Sequence, residues 1–141
     1  IVWGRFRVDV DSILEELKTR GIRAVRYDGQ VKDRDRAIAM ATFKEGRADV
    51  FVGTPDAGGI GLDLYEADVM VYHANSFNAE LRWQSEDRAH RIGQTRSLTI
   101  NDLVAPGTVD RRFITSLREK RDLSDGVFRG EAAAKLKEFL S

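Results

Sequence analysis

Residues 48–64 read Ala48-Asp49-Val50-Phe51-Val52-Gly53-Thr54-Pro55-Asp56-Ala57-Gly58-Gly59-Ile60-Gly61-Leu62-Asp63-Leu64. A short apolar run ends at Val52 and breaks into a glycine-rich stretch over residues 53–61. Such a run suits a strand buried on both faces, as in parallel sheets. The glycines that follow let the backbone turn and approach a neighbour closely, because no side chain intervenes.

Outward from this stretch, short apolar runs alternate with helical patterns. Ile1, Val2 and Trp3 open a strand. Asp9 or Asp11 is placed to cap a helix carrying Val10, Ile13, Leu14 and Leu17 on one face, and Gly21 stops it. Residues 22–27 form the next strand. A charged helix over residues 33–43 follows, with Ile38 and Ala41 turned inward and Gly46 after it. Beyond the glycines, residues 69–72 make a strand, Asn78 opens a helix to about Ile92, and residues 98–104 give a fifth strand. Pro106 and Gly107 turn the chain into a helix capped by Thr108 and bearing Val109, Phe113 and Leu117. A loop over residues 124–130 then leads to a short terminal helix with Leu136 and Leu140. Strands alternating with helices of about ten to fifteen residues predict βαβ units, and so an α/β fold with a mainly parallel sheet covered on both faces.

Composition narrows the function classes. At 141 residues the chain suits one sizeable core. It holds no cysteine, which excludes disulfides, thiolate nucleophiles and cysteine-ligated zinc. No apolar run approaches the roughly 20 residues that span a bilayer, and a protein of the cell interior without membrane contact is expected. Lys plus Arg and Asp plus Glu balance at 23 each, so overall charge does not point to nucleic acid. A local basic stripe on a neutral protein still neutralises phosphates. The chain opens at Ile1 rather than Met, inside an apolar run, which suggests a lobe cut from a larger protein.

In open parallel sheets ligands gather at the carboxyl ends of the strands, where two stretches stand out. The first is the loop from Thr54 to Leu64, with Gly58, Gly59 and Gly61 closely spaced and Asp63 presenting a carboxylate after them. It is no phosphate-binding P-loop, because no Gly-Lys-Ser/Thr follows. The second is Gln84-Ser85-Glu86-Asp87-Arg88-Ala89-His90-Arg91-Ile92-Gly93-Gln94. At about 3.6 residues per turn, Gln84, Arg88 and Arg91 share one helix face beside Asp87, while Leu81, Ser85, Ala89 and Ile92 form a side that packs on the sheet. Guanidiniums in a row suit phosphate oxygens. The plainer alternative is a solvated face, with Glu86 and Asp87 paired to Arg91. His90 and Trp83 read as packing or interface residues, and Arg111, Arg112, Arg118 and Arg121 as a solvated helix face.

Together the two stretches resemble motifs V and VI of superfamily 2 helicase-like ATPases, and the string from Asp87 to Gln94 is similar to that of Swi/Snf-type members. Residues 57–62 resemble their Ala-Gly-Gly-x-Gly-Leu element. Tyr27-Asp28-Gly29 with the helix after Arg34, and Gly107-Thr108-Val109, resemble further elements in matching order over residues 1–123. There are departures: Thr54-Pro55-Asp56 replaces Ser-Thr-Lys/Arg, Asp63 replaces Asn, and Phe77-Asn78-Ala79 replaces Trp-Asn-Pro. Asp63 is nearer to RNA helicases of the D-E-A-D type. The long insertions of eukaryotic remodellers are absent, which suggests a bacterial or phage-type member in the cytoplasm; a eukaryotic member would work in the nucleus.

The resemblance implies a three-layer αβα RecA-like lobe over residues 1–124, with residues 125–141 a short helix or linker. It implies an ATP hydrolase in which ATP with Mg2+ sits mainly on an N-terminal RecA-like lobe outside this chain. Arg91 would be the arginine finger and Arg88 its assistant, an arrangement worth on the order of 10³ to 10⁵ in rate. Gln84, Asp87, Gly61 and Asp63 would bind or couple nucleotide, and Thr54, Gly58, Gly59 and Arg34 would touch duplex DNA. No metal ligand is expected in this lobe. The rivals are a D-E-A-D-type RNA helicase lobe and a free-standing RecA-like binding module.

Overall fold

The apolar runs pair side by side, all in one direction. The computed structural model describes residues 1–57, 62–75, 78–90 and 97–128. In order, the elements are β1 (Val2–Trp3), α1 (Arg7–Thr19), β2 (Ala24–Tyr27), α2 (Asp33–Lys44), β3 (Val50–Gly53), β4 (Val69–Tyr72), α3 (Ala79–Asp87), β5 (Thr99–Asp102) and α4 (Val109–Phe128). The strands form a parallel sheet in the order β2-β3-β1-β4-β5, so the first strand in sequence lies in the middle. Its partners are Val52 and Val71 opposite Val2, and Gly53 and Tyr72 opposite Trp3. The fold is a three-layer α/β RecA-like fold.

Strand alternation divides the apolar side chains between two faces. Trp3, Tyr27, Phe51, Met70 and Tyr72 share one face, where they join Ala39 and Phe43 of α2 and Leu64, Ala67 and Ala89 in the main core. Phe51 is the hub: its ring centroid lies 5.9 Å from Trp3, 5.2 Å from Tyr27 and 5.5 Å from Phe43. Helix α1 packs over β2 and β3 and buries Val10. The right-handed crossover from β1 to β2 puts it on the face opposite α2.

Both α1 and α2 end in the same way. Gly21 and Gly46 each adopt a φ of 70°, and each glycine's amide and the one after it return to the last turn. Gly21 N–H donates to Lys18 C=O and Ile22 N–H to Leu17 C=O; Gly46 and Arg47 do likewise to Phe43 and Thr42. These are Schellman closures, which need a left-handed residue. Gly53 serves another purpose: a Cβ there would lie 2.2 Å from the Tyr27 carbonyl oxygen, so the end of β3 meets β2 without room for a side chain.

Several local expectations are corrected. The inward residues of α2 are Ala39 and Phe43, whereas Ile38 is 54% exposed and Ala41 is also exposed. Phe43, the largest apolar side chain of the helix, sets its phase. Asp9 is not the N-cap of α1, which is Phe6; it caps from the first turn, where its Oδ2 accepts the N–H groups of Arg5 and Phe6 at 3.0 and 2.8 Å. Helix α3 stops at Asp87, short of Ile92, and α4 continues through residues 124–128, where a loop was expected. One compact unit ends at Leu103 and a second begins at Val104.

Candidate functional site

At the carboxyl end of β2, Asp28 is 3% exposed. Its Oδ2 accepts Arg26 Nε and Nη2 at 2.8 and 2.5 Å, and its Oδ1 accepts Gln30 N–H at 3.0 Å. Burial pushes the carboxyl up, but the hydrogen bonds from Arg26 and Gln30 and the charges of Arg26 and Arg7 outweigh it and hold it below its ordinary value. Arg36 of α2 donates to the Asp28 carbonyl at 3.0 Å, with its guanidinium 5.4 Å from the Tyr27 ring centroid. The Tyr27-Asp28-Gly29 element thus ties the exit of β2 to the first turns of α2. That turn leaves Arg34 exposed to solvent.

The exit of β3 lies beside it. Thr54 is 8% exposed and donates its N–H to Tyr27 C=O at 3.4 Å, and its own C=O accepts Ala57 N–H at 3.1 Å. The side chain of Thr54 is therefore turned inward. Arg88 reaches this loop from the end of α3: its Nη1 donates to Pro55 C=O at 2.9 Å. Half-burial pulls the guanidinium below its ordinary value, against the opposing influence of Tyr27, Tyr72 and Asp56. The Arg88 carbonyl accepts Leu64 N–H at 2.7 Å, so the far end of the glycine-containing stretch also returns to α3. The two sequence stretches singled out above are joined at Arg88.

The remaining candidates divide. Gln84 and Asp87 are exposed on α3, and Gln84 Nε2 donates to Glu80 at 3.2 Å. Asp63 pairs with Lys44 on the last turn of α2. His90 is exposed past the end of α3, contrary to the packing role expected of it. Gly58, Gly59, Gly61 and Arg91 lie outside the described residues. Among the described residues, no group of His, Cys, Asp and Glu is gathered as a metal ion would require, and no helix is long and apolar enough to cross a membrane.

Sequence reasoning missed a second cluster in the same helix. Asn78 caps α3, accepting the N–H groups of Glu80 and Leu81 at 3.0 and 3.3 Å. One turn on, Arg82 is 8% exposed. Its Nε donates to Glu86 Oε1 at 2.6 Å, its Nη1 to Asn75 Oδ1 at 2.6 Å and to Asp102 Oδ1 at 2.5 Å, and its Nη2 to Asp102 Oδ2 at 3.2 Å. The guanidinium stacks 3.4 Å from the Tyr72 ring centroid. Burial works against the cation, but Asp102, Tyr72 and Glu86 raise it above its ordinary value. Ser85 donates to Arg82 C=O at 2.7 Å and meets the Tyr72 hydroxyl at 2.5 Å. Burial pushes that phenol upward. The available signal was the i, i+4 pair Arg82 and Glu86.

Residues 1–93 match the helicase conserved C-terminal domain. The chain is 35% identical over 126 residues to a chromatin-remodeling ATPase INO80 of Aspergillus clavatus, covering 88% of this chain and 7% of that protein. It is 33% identical over 132 residues to the Drosophila melanogaster INO80, covering 92% and 8%. It therefore spans under a tenth of the length of these relatives. The solved C-terminal part of the Fun30 ATPase domain superposes with a TM-score of 0.74 at 28% identity, covering 81% of this chain and 37% of that one. The C-terminal domain of the DEAD-box protein Dbp5 superposes with a TM-score of 0.71 at 14% identity, covering 84% and 67%, and shows the shared fold. The chain belongs to the helicase C-terminal domain family, as a Swi/Snf-type superfamily 2 lobe. These fungal and fly relatives lend no support to the bacterial or phage-type origin expected from the missing insertions.

Proposed function

We propose that this chain is the second motor lobe of a DNA-dependent ATPase and translocase. In this reading ATP with Mg2+ binds on a companion N-terminal RecA-like lobe, and this lobe closes over it. The companion supplies the P-loop lysine and the general base. Arg91 stabilises charge developing on the γ-phosphate, and Arg88 assists it while gripping the loop after β3. Gln84 and Asp87 face the cleft from α3. Asp63 and Gly61 couple nucleotide state to DNA, and the Lys44 pair has to open for Asp63 to do so. Arg34, Gly58, Gly59 and Thr54 track the duplex phosphates, which position a protein without reading sequence; Thr54 has to turn outward to do so. A motor of this kind works where the cell keeps its DNA.

The observation that carries this function is the Arg88–Pro55 hydrogen bond. It joins Arg88, at the end of α3, to the loop proposed to meet DNA, so a shift at either is felt by the other. Closure around ATP is then linked to movement along the duplex. The test is ATP hydrolysis by a full-length protein carrying this lobe, with double-stranded DNA, with RNA and with neither. Double-stranded DNA is expected to stimulate hydrolysis more than RNA. Arg91→Ala is expected to abolish turnover, by on the order of a thousandfold, with ATP binding retained. Indifference to DNA, or normal turnover by Arg91→Ala, would sink the proposal; stimulation by RNA alone would favour an RNA helicase.

A further inference from the structure

Helix α3 has nine residues, about 13 Å of helix. In it and the turn that follows, the fully buried side chains are the small ones of Ser85 and Ala89. Helices this short are marginal on their own, and so little apolar burial does not fix where α3 lies. Polar contacts do, and they converge on Arg82. Its acceptors come from three segments: Glu86 on the same helix, Asn75 at the exit of β4, and Asp102 at the end of β5. A planar guanidinium bonded in fixed directions to all three sets both the height of α3 over the sheet and its rotation about its own axis. An ammonium at the same place is a point charge and does neither.

The side chains of Arg82, Glu86 and Asp102 are 8%, 7% and 17% exposed. A cation held between two carboxylates at this depth is a poor source of net stability, because an apolar group of similar volume serves as well. It does impose a single geometry. Arg88 lies less than two turns further along and meets Pro55. We propose that Arg82 is a positioning residue, locking α3 to the ends of β4 and β5 so that Arg88 is presented to nucleotide at one angle. This rests on the motor function proposed above.

The test uses full-length protein and two variants. Arg82→Lys keeps the charge but loses the fork. The triple variant Arg82→Met, Glu86→Gln, Asp102→Asn removes the buried charges and keeps their volumes. The quantities are DNA-stimulated kcat, KM for ATP, melting temperature, and hydrogen exchange in the peptide containing Leu64, whose N–H bonds to the Arg88 carbonyl. Both variants are expected to lose about tenfold or more in kcat with KM within about twofold. The Leu64 peptide is expected to exchange about tenfold faster, while the triple variant melts with wild type. A structural prop would lower melting and activity together. Wild-type kcat in Arg82→Lys, unchanged protection at Leu64, or activity that simply follows the folded fraction would each overturn the inference. A wild-type protein without DNA-stimulated hydrolysis would instead overturn the motor function, and Leu64 exchange in Arg82→Lys would then decide the positioning by itself.

Discussion

Asp28 shows how one residue links a sequence motif to a pH response. Its carboxylate is buried among Arg26 and Gln30 N–H and lies below its ordinary value of 3.8. A depressed acid contributes stability that is complete above its unfolded value and is lost as pH falls through its folded one. Wild-type chain is therefore expected to lose stability as pH drops below about 4, and Asp28→Asn to be less stable at neutral pH by about 2 kcal/mol with a flatter acid limb. Urea unfolding followed from pH 6 to 2 measures both; equal slopes for the two proteins would remove Asp28 from the account. At this scale the sequence was only partly legible. Asp28 belonged to a quotable motif, but its burial did not show. Arg82 and Asp102 stand twenty positions apart, and a charged residue on a charged helix reads as solvated until the strand that opposes it is placed.

Elements were more legible than residues, and the limits have physical causes. Residues 69–72 were read as a strand with the bounds of β4, because a short apolar run flanked by polar residues has few other solutions. The phase of α2 was misread because Ile38 with Ala41 and Ala39 with Phe43 are both acceptable helical stripes; contact with the Phe51 ring decides between them. The end of α3 was overextended because nothing in residues 84–92 breaks a helix. The glycine stops were read correctly, and they carry a prediction. Gly46→Ala forces a Cβ into a φ of 70° with open space around it. The cost is thus conformational, about 1 kcal/mol, and is expected as a lower urea midpoint with an unchanged slope. A change in slope would point to altered compactness instead.

For the whole molecule, the fold class was legible from alternation alone, whereas the RecA-like fold and the function needed the resemblance carried by residues 57–62 and 87–94. Gln84 lies on the helix expected for it and Arg88 just past its end, but the inward turn of Thr54 and the Asp63–Lys44 pair depend on contacts that sequence spacing does not encode. No Gly-x-x-x-x-Gly-Lys-Ser/Thr occurs in the 141 residues. The purified chain is accordingly expected to release phosphate from ATP no faster than buffer, with or without DNA, and measurable DNA-stimulated release from it would contradict the division of labour between lobes.

The central position of β1 has a consequence for how this chain is made. Val2 and Trp3 leave the ribosome before every other strand described here, yet their partners on β3 and β4 follow roughly fifty and seventy residues later. Among the described strands none pairs with β1 through a hairpin, and long-range parallel pairing is slow because loop closure precedes any reward. Trp3, wholly buried in the finished sheet, must therefore wait until Tyr72 has been synthesised. Through that interval an indole at the heart of the lobe is open to chaperones and to other nascent chains.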